Sequence, residues 1–203
     1  MKQSASDEAY WERLYRNPEY VYGTRPNSYL IAQQPRLKPG MRALAIGDGE
    51  GRNGVWLACQ GLYTTSVDSS PAAVEKSKRL AALNHVSLEH ECCDLLRWRW
   101  PQSRFDVVAA VYLHLQPEHR AMVHGNIVAG LKPGGLLVLE AFHCTHAGAS
   151  AAVATTFYSC SLLRSDFHTL SILERSEEIV CLDEGPMHQG SARVVRLLAQ
   201  KNT

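Results

Sequence analysis

From Lys38 to Phe142 the chain repeats one rhythm: a turn, a short apolar run rich in Val, Ile and Ala, then a longer amphipathic stretch. "PGMRALAIG" reads as a turn and a buried strand, Arg52 to Gln60 as a helix closed by Gly61, "LYTTSVD" as a second strand, and Pro71 to Leu83 as a second helix. Val86 to Cys92 gives a third strand, "RFDVVAAVYLHL" a fourth, Pro117 to Leu131 a helix, and "GGLLVLEAF" a fifth strand after the turn "KPGG". Parallel neighbours need crossover connections, so strands alternating with helices imply a parallel sheet covered on both faces. After Phe142 the rhythm stops. Ala147 to Ala154 is rich in small residues and reads as a loop or a weak helix start, whereas "LSILERSEEIVCL" and "GSARVVRLLAQ", joined by "DEGPMHQG", read as a closing antiparallel pair. The expected class is α/β, a doubly wound, mostly parallel seven-stranded sheet with an antiparallel terminal strand pair. Before it, Ser6 to Arg16 places Tyr10, Leu14 and Trp11 on one helical stripe, and Pro26 is expected to start a short helix carrying Tyr29, Leu30 and Ile31.

At 203 residues the chain suits one core rather than two. We divide that single expected domain, 1–203, into an N-terminal lid with its helices (1–37), a ligand-binding core (38–142), and an acceptor-side segment with the closing strands (143–203). With 21 Lys+Arg against 20 Asp+Glu the formal charge is +1, so no net field draws the protein to nucleic acid or to an anionic membrane. No apolar run approaches the ~18 residues of a membrane span, and Met1 to Asn17 lacks the apolar core of a secretory signal, which leaves a cytoplasmic location as the expectation. The six cysteines, Cys59, Cys92, Cys93, Cys144, Cys160 and Cys181, have no paired metal-ligand spacing. They read as free, mostly buried thiols, and no metal is expected.

In an open α/β sheet a ligand binds outside the carboxyl ends of the strands, where the first strand leads into the first helix. There the chain reads "AIGDGEGRNG". Gly47, Gly49 and Gly51 let the backbone turn tightly and approach a ligand with no side chain between, next to the unpaired N–H groups of a helix start. Asp68 ends the second strand about 20 residues later, where a carboxylate accepts both hydroxyls of a ribose. Ser69 follows it. Asp94 stands past the third strand, placed to accept from an exocyclic amine, with Leu95 against the face of an adenine. Arg52 occupies the position of the third glycine in the dinucleotide pattern, and the phosphate-gripping G-x-x-x-x-G-K pattern is missing. Instead Asp48 and Glu50 make the loop acidic, which repels pyrophosphate and suits a cationic group.

"ALAIGDGEGRNGVWLACQG", "VDSSPAAVEKSKRLA", "LKPGGLLVLEAF" and the two terminal β runs resemble the class I S-adenosylmethionine-dependent methyltransferases, a Rossmann-like family. More narrowly, "YVYGTRPNSYL", "GEGRN", "YLHLQPEHR" and "MHQGSARVVRLLAQK" resemble the branch of tellurite-resistance and thiopurine methyltransferases. The resemblance implies S-adenosyl-L-methionine as cofactor. Its methionine part would lie at Gly47 to Gly51, its ribose on Asp68, and its adenine at Asp94 and Leu95. Most of that superfamily carries an acid where this chain has Ala45, so Asp48 is expected to help hold the cofactor's ammonium. The N-terminal segment is the usual lid, with Tyr22 over the cofactor and Arg25 facing its carboxylate or an anionic acceptor. Tyr112 and Leu113 are expected as pocket walls.

Methyl transfer from a sulfonium requires alignment and exclusion of water more than it requires a strong base. A tellurite- or selenite-type oxyanion, or a thiolate, needs none; a neutral hydroxyl or amine benefits from one. The expected acceptor is a small molecule, oxyanion or thiol-like, because the N-P-P-Y type motif of nucleic-acid amino methylation is replaced by "VYLHLQP". His114, His143 and His188 are the candidate bases. The rival readings are a non-catalytic S-adenosylmethionine-binding protein and, more remotely, a nicotinamide-dependent oxidoreductase.

Overall fold

The computed structural model describes residues 8–145 and 156–203; the small-residue stretch Ala147 to Ala154 lies outside the described residues. Helix α1 (Glu8–Tyr15) and the short α2 (Ser28–Ala32) precede the sheet, with a single 3-10 turn at Gln34–Arg36. Then follow β1 (Arg42–Ile46), α3 (Arg52–Cys59), β2 (Tyr63–Asp68), α4 (Pro71–Leu83), β3 (Glu89–Cys92), β4 (Phe105–Val111), α5 (Pro117–Gly130) and β5 (Leu131–Phe142). Helix α6 (Cys160–Asp166), β6 (Leu170–Gly185) and β7 (His188–Lys201) close the chain. The sheet is seven-stranded in the order β3-β2-β1-β4-β5-β7-β6, parallel from β3 to β5, with β7 antiparallel to both β5 and β6. The expected class is the observed one.

Strict alternation along the central strands sends neighbouring side chains to opposite faces, and both faces are apolar because helices cover both. Leu44, Ile46, Val108, Ala110, Leu137 and Leu139 belong to one buried layer, while Ala43, Ala45, Val107, Ala109, Leu136 and Val138 belong to the other. Edge strand β3, "EHEC", is half-exposed and polar. Its pairing starts at Glu89 opposite Thr65, later than Val86, because Val86 and Leu88 pack on Val55 and Leu80 instead. Strand β4 stops at Val111, so the residues up to Leu115 form a loop. The "KPGG" residues lie inside β5, where the register against β4 jumps between Phe105 and Val107.

Local signals fix the helix starts. Ser70 accepts from Ala73 N and Pro71 opens α4. Asn27, rather than Pro26, caps α2 through its side chain, which accepts from Leu30 N. Helix α1 is fastened by Glu12, whose Oε2 accepts from Ser70 Oγ at 2.6 Å and Ala72 N at 3.1 Å. That link lays α1 across the N-terminus of α4, over the carboxyl ends of the strands. No helix among the described residues is long and apolar enough to cross a membrane. The cysteines correct the expectation of burial: Cys59, Cys92, Cys144 and Cys181 are exposed, and Cys93 and Cys160 are partly so.

Candidate functional site

The loop after β1 turns through left-handed backbone at Gly49 (φ +57°) and Gly51 (φ +91°). A Cβ on Gly49 would lie 2.7 Å from Tyr15 Oη, and one on Gly51 would lie 2.2 Å from Ser77 Oγ. Glycine is therefore demanded twice over, by torsion and by the close approach of α1 and α4. The two acids of this loop are consumed by the fold. Asp48 is buried, accepting from Gly54 N at 3.1 Å and from Ser66 Oγ at 2.7 Å, so it braces the loop against β2 and α3. Burial lifts its carboxyl to about 7, against the two hydrogen bonds, with nearby Asp68 adding to the rise. Both oxygens thus take part in bracing the loop, while the residue also lines the neighbouring hollow. Ala45 lies in an apolar layer. Glu50 is buried too: Val21 N and Tyr22 N each donate to it at 3.1 Å, and Lys76 Nζ pairs with it at 2.6 Å. It pins the chain before α2 down to the loop.

Around this loop two connected hollows open. The first encloses about 820 Å³ including its mouth and lies over the ends of β1, β2 and β3, bounded by Gly47, Asp68, Ser69, Asp94, Leu95 and Leu113. Asp68 accepts from Gly49 N at 2.8 Å with Oδ2 and from Ser70 N at 2.9 Å with Oδ1. Each oxygen keeps a second lone pair. Burial raises the Asp68 carboxyl, opposed by these backbone donors. Asp94 is held by Leu96 N at 2.9 Å, and Leu95 is buried beside it. The sequence-expected residues at the strand ends thus converge on one cleft.

The second hollow, about 460 Å³, runs from the loop toward β7 and shares Trp11, Tyr15, Gly47, Tyr112 and His114 with the first. Tyr112 adopts φ +52°, a strained value for a bulky residue. Its N donates to Glu140 O at 2.7 Å and its hydroxyl to Glu140 Oε1 at 2.8 Å, which hold that turn in place. His114 stacks on Trp11 with centroids 5.7 Å apart, and its Nδ1 meets Thr156 Oγ1 at 3.1 Å. Burial pushes His114 down to about 4, with His188 contributing. His188, the first residue of β7, packs its ring on Tyr22 at 4.7 Å and on Tyr112 at 4.5 Å. Its Nδ1 meets Glu184 Oε2 at 3.1 Å, and Arg52 reaches the same oxygen at 2.8 Å.

Two expected residues fall outside. His143 follows Phe142, whose ring faces Tyr112, and alternation along the strand turns His143 the other way, to Glu177 at 3.1 Å and Thr145 at 2.8 Å. Arg25 is exposed and points at Asp183, 3.9 Å away. Sequence reading missed Trp11 and Tyr15 as cover, and Arg52, Glu140 and Glu184 as supports. The aromatic spacing of "YWERLY" in α1 is the one sequence signal that carried some of this. Among the described residues no cluster of His, Cys, Asp or Glu could hold a metal.

Residues 43–135, just under half of the chain, match a family model described as a methyltransferase domain. The structure of TehB from Haemophilus influenzae superposes with a TM-score of 0.73 at 16% identity, covering 96% of this chain and 67% of that one. The matched segment is that of a methyltransferase domain, and the fold agrees with it. A structure from work on the conversion of a disulfide bond into a thioacetal group during echinomycin biosynthesis superposes on this chain with a TM-score of 0.79 at 17% identity, covering 96% and 92% of the two chains. At such identities these likenesses speak for the fold. In sequence, the chain is 27% identical over 151 residues to a ubiquinone biosynthesis O-methyltransferase of Coxiella burnetii, an alignment covering 73% of this chain. It spans 63% of the length of that relative.

Proposed function

We propose that the protein transfers a methyl group from S-adenosylmethionine to a small-molecule acceptor. The observation that carries this reading is the convergence of Asp68, Asp94 and the Gly47–Gly51 loop on one cleft at the carboxyl ends of β1 to β3. The donor set fits the cofactor. Free lone pairs of Asp68 suit two vicinal hydroxyls, Asp94 suits an amine, buried Leu95 suits a flat ring, and the glycine loop admits an amino-acid backbone. Ser69, Tyr22, Tyr112 and Leu113 would complete the walls, with residues 1–37 as lid, 38–142 as cofactor-binding core and 143–203 on the acceptor side. When bound, the cofactor supplies a methyl group on a sulfonium sulfur, already activated for displacement.

The chain's own residues would then contribute alignment and dryness. Trp11 and Tyr15, laid down by the Glu12 link, close the cleft from above. Tyr112, held by Glu140, fixes the boundary between the two hollows. Buried His114 stays neutral at physiological pH and shapes the wall. The acceptor class named from sequence, a tellurite- or selenite-type oxyanion or a thiol-like group, belongs to this proposal, as does a cytoplasmic location.

A labelled-donor screen tests it. The protein is incubated with methyl-labelled S-adenosylmethionine and, separately, tellurite, selenite, thiols and thiopurines. Label should appear on at least one acceptor, with demethylated cofactor in equal amount. Tight binding of the demethylated cofactor with no transfer to any acceptor would favour the non-catalytic binding protein instead. Tighter binding of NAD than of either sulfonium donor or product would favour the oxidoreductase.

A further inference from the structure

The geometry points to His188 as the general base of this site, oriented by Glu184, and to an acceptor that is neutral and aromatic and carries its proton on oxygen or sulfur. This inference rests on the methyl-transfer reading above and narrows its acceptor. Three observations carry it.

The first is the state of the imidazole. A carboxylate can only accept, so Glu184 Oε2 at 3.1 Å places a proton on His188 Nδ1 and leaves Nε2 as the basic nitrogen of the neutral ring. Among the described residues Nε2 has no hydrogen-bond partner. Tyr29 Oη is the one enclosed side-chain polar atom there that lacks a partner, so Nε2 opens onto space, and the residue lines the second hollow. His114 offers the contrast. Its pKa near 4 makes it far too weak a base for a phenol or thiol.

The second is the support behind the carboxylate. Glu184 also receives Arg52 at 2.8 Å and Asn27 Nδ2 at 3.2 Å, so it is held from α3 and from the cap of α2 while it faces His188 on β7. Its carboxyl is kept below the usual range by the hydrogen bond from His188 and by Arg52, against desolvation. It is therefore ionised and stabilises the imidazolium that forms on proton uptake.

The third is the chamber itself. The His188 ring lies edge-on to Tyr22, Tyr112 and Phe142 at 4.7, 4.5 and 5.5 Å. Trp11, Tyr15, Tyr22 and Tyr112 line the hollow beside His188, so a flat ring placed there would pack against aromatic side chains. Among the described residues lining this hollow, Arg52 is the one Lys or Arg side chain, and Glu184 already neutralises it. Nothing there compensates the charge of an oxyanion such as tellurite. The charged and titratable groups around His188 are Glu184, Arg52, His114, Tyr22 and Tyr112, with Tyr15, Asp48 and Glu50 lining the same hollow; burial pushes the three phenols up and keeps them neutral.

The proton balance is simple. The acceptor's O–H or S–H bond breaks with its proton passing to His188 Nε2. The freed electron pair forms the new bond to the methyl carbon as the carbon–sulfur bond of the donor breaks, its pair staying on sulfur.

The test combines two readouts. In the ligand-free protein, 15N spectra of the neutral His188 ring should show the Nδ1–H tautomer, and Glu184→Gln should abolish that preference; an Nε2–H tautomer in the parent protein overturns the assignment. In turnover, catechol and thiophenol should each exceed sodium tellurite by at least tenfold, and His188→Gln should lower their methylation by about 100-fold or more, with binding of S-adenosylhomocysteine changed less than threefold. Tellurite preferred over both, or His188→Gln as active as the parent, overturns this inference and leaves methyl transfer standing. Absence of transfer to all three, with the donor unconsumed, counts against the methyl-transfer reading itself.

Discussion

The two hollows of one cleft are built by different means. The first is made locally: its loop, Asp68 and the Asp94–Leu95 pair each follow a strand end, and the two aspartates are held by main-chain N–H groups within two residues or across one neighbouring strand. The second is made at long range. His188, Glu184, Arg52, Tyr22 and Trp11 come from β7, the end of β6, α3, the segment after α1, and α1 itself. A local frame tolerates change in distant sequence, whereas an assembled chamber depends on whatever ties its parts together. The ties are the buried acids: Glu50 to Lys76 and the N-terminal segment, Glu140 to Tyr112, Asn27 and Arg196, Glu184 to Arg52 and His188.

The strongest way to break the comparison is to cut such a tie. Lys76→Met leaves Glu50, whose side chain is 1% exposed, buried without its cation. Such an uncompensated charge costs about 3 to 5 kcal/mol. Urea unfolding should show a loss of this size; a loss under 1 kcal/mol would mean that the Val21 and Tyr22 N–H groups suffice alone.

Gly51→Ala should cost less, about 2 kcal/mol or more. It forces a Cβ into left-handed backbone and against Ser77, where both the side chain and Cα 2.8 Å away must shift. The same unfolding experiment measures it, and an unchanged midpoint would remove the packing argument for this glycine.

The smallest effect concerns Asp48, and its sign is opposite to that of a stabilising ion pair. Its folded carboxyl titrates near 7, above the ordinary 3.8, so the folded state binds the extra proton between those values. Its contribution therefore makes stability fall as pH rises from about 4 toward 7, with the full cost present above that. Asp48→Asn keeps the acceptor for Gly54 N and should remove this slope, stabilising the protein at pH 8 by on the order of 1 kcal/mol. A melting curve for the variant as pH-dependent as the parent's would show that Asp48 is charged throughout.

The contrast also explains what the sequence made legible. The Ser70–Pro71 start of α4 is a local code and was readable to the residue, as was Asp68 at the end of β2. Central-strand periodicity was readable because both faces are apolar. What one stretch of sequence does not hold is direction and partnership. His143 and His188 looked alike as histidines near strand ends, yet alternation after Phe142 turns one out of the cleft. Asp48 and Glu50 were legible as the acids of the loop, but their partners Ser66 and Lys76, in β2 and α4, were not. Arg25 and Arg52 were indistinguishable by type, and Glu184, over a hundred residues further along the chain, selects Arg52.

The central claim, that the proposed cofactor chamber is framed locally beside a proposed acceptor chamber assembled from afar, is tested most directly by one calorimetric titration of S-adenosylhomocysteine into the parent protein, Asp68→Ala and His188→Gln. Loss of hydrogen-bonding partners at Asp68 should weaken binding by about 1 to 3 kcal/mol, while His188→Gln should leave the dissociation constant within threefold. Equal weakening in both variants, or an unchanged constant for a folded Asp68→Ala, would contradict the division.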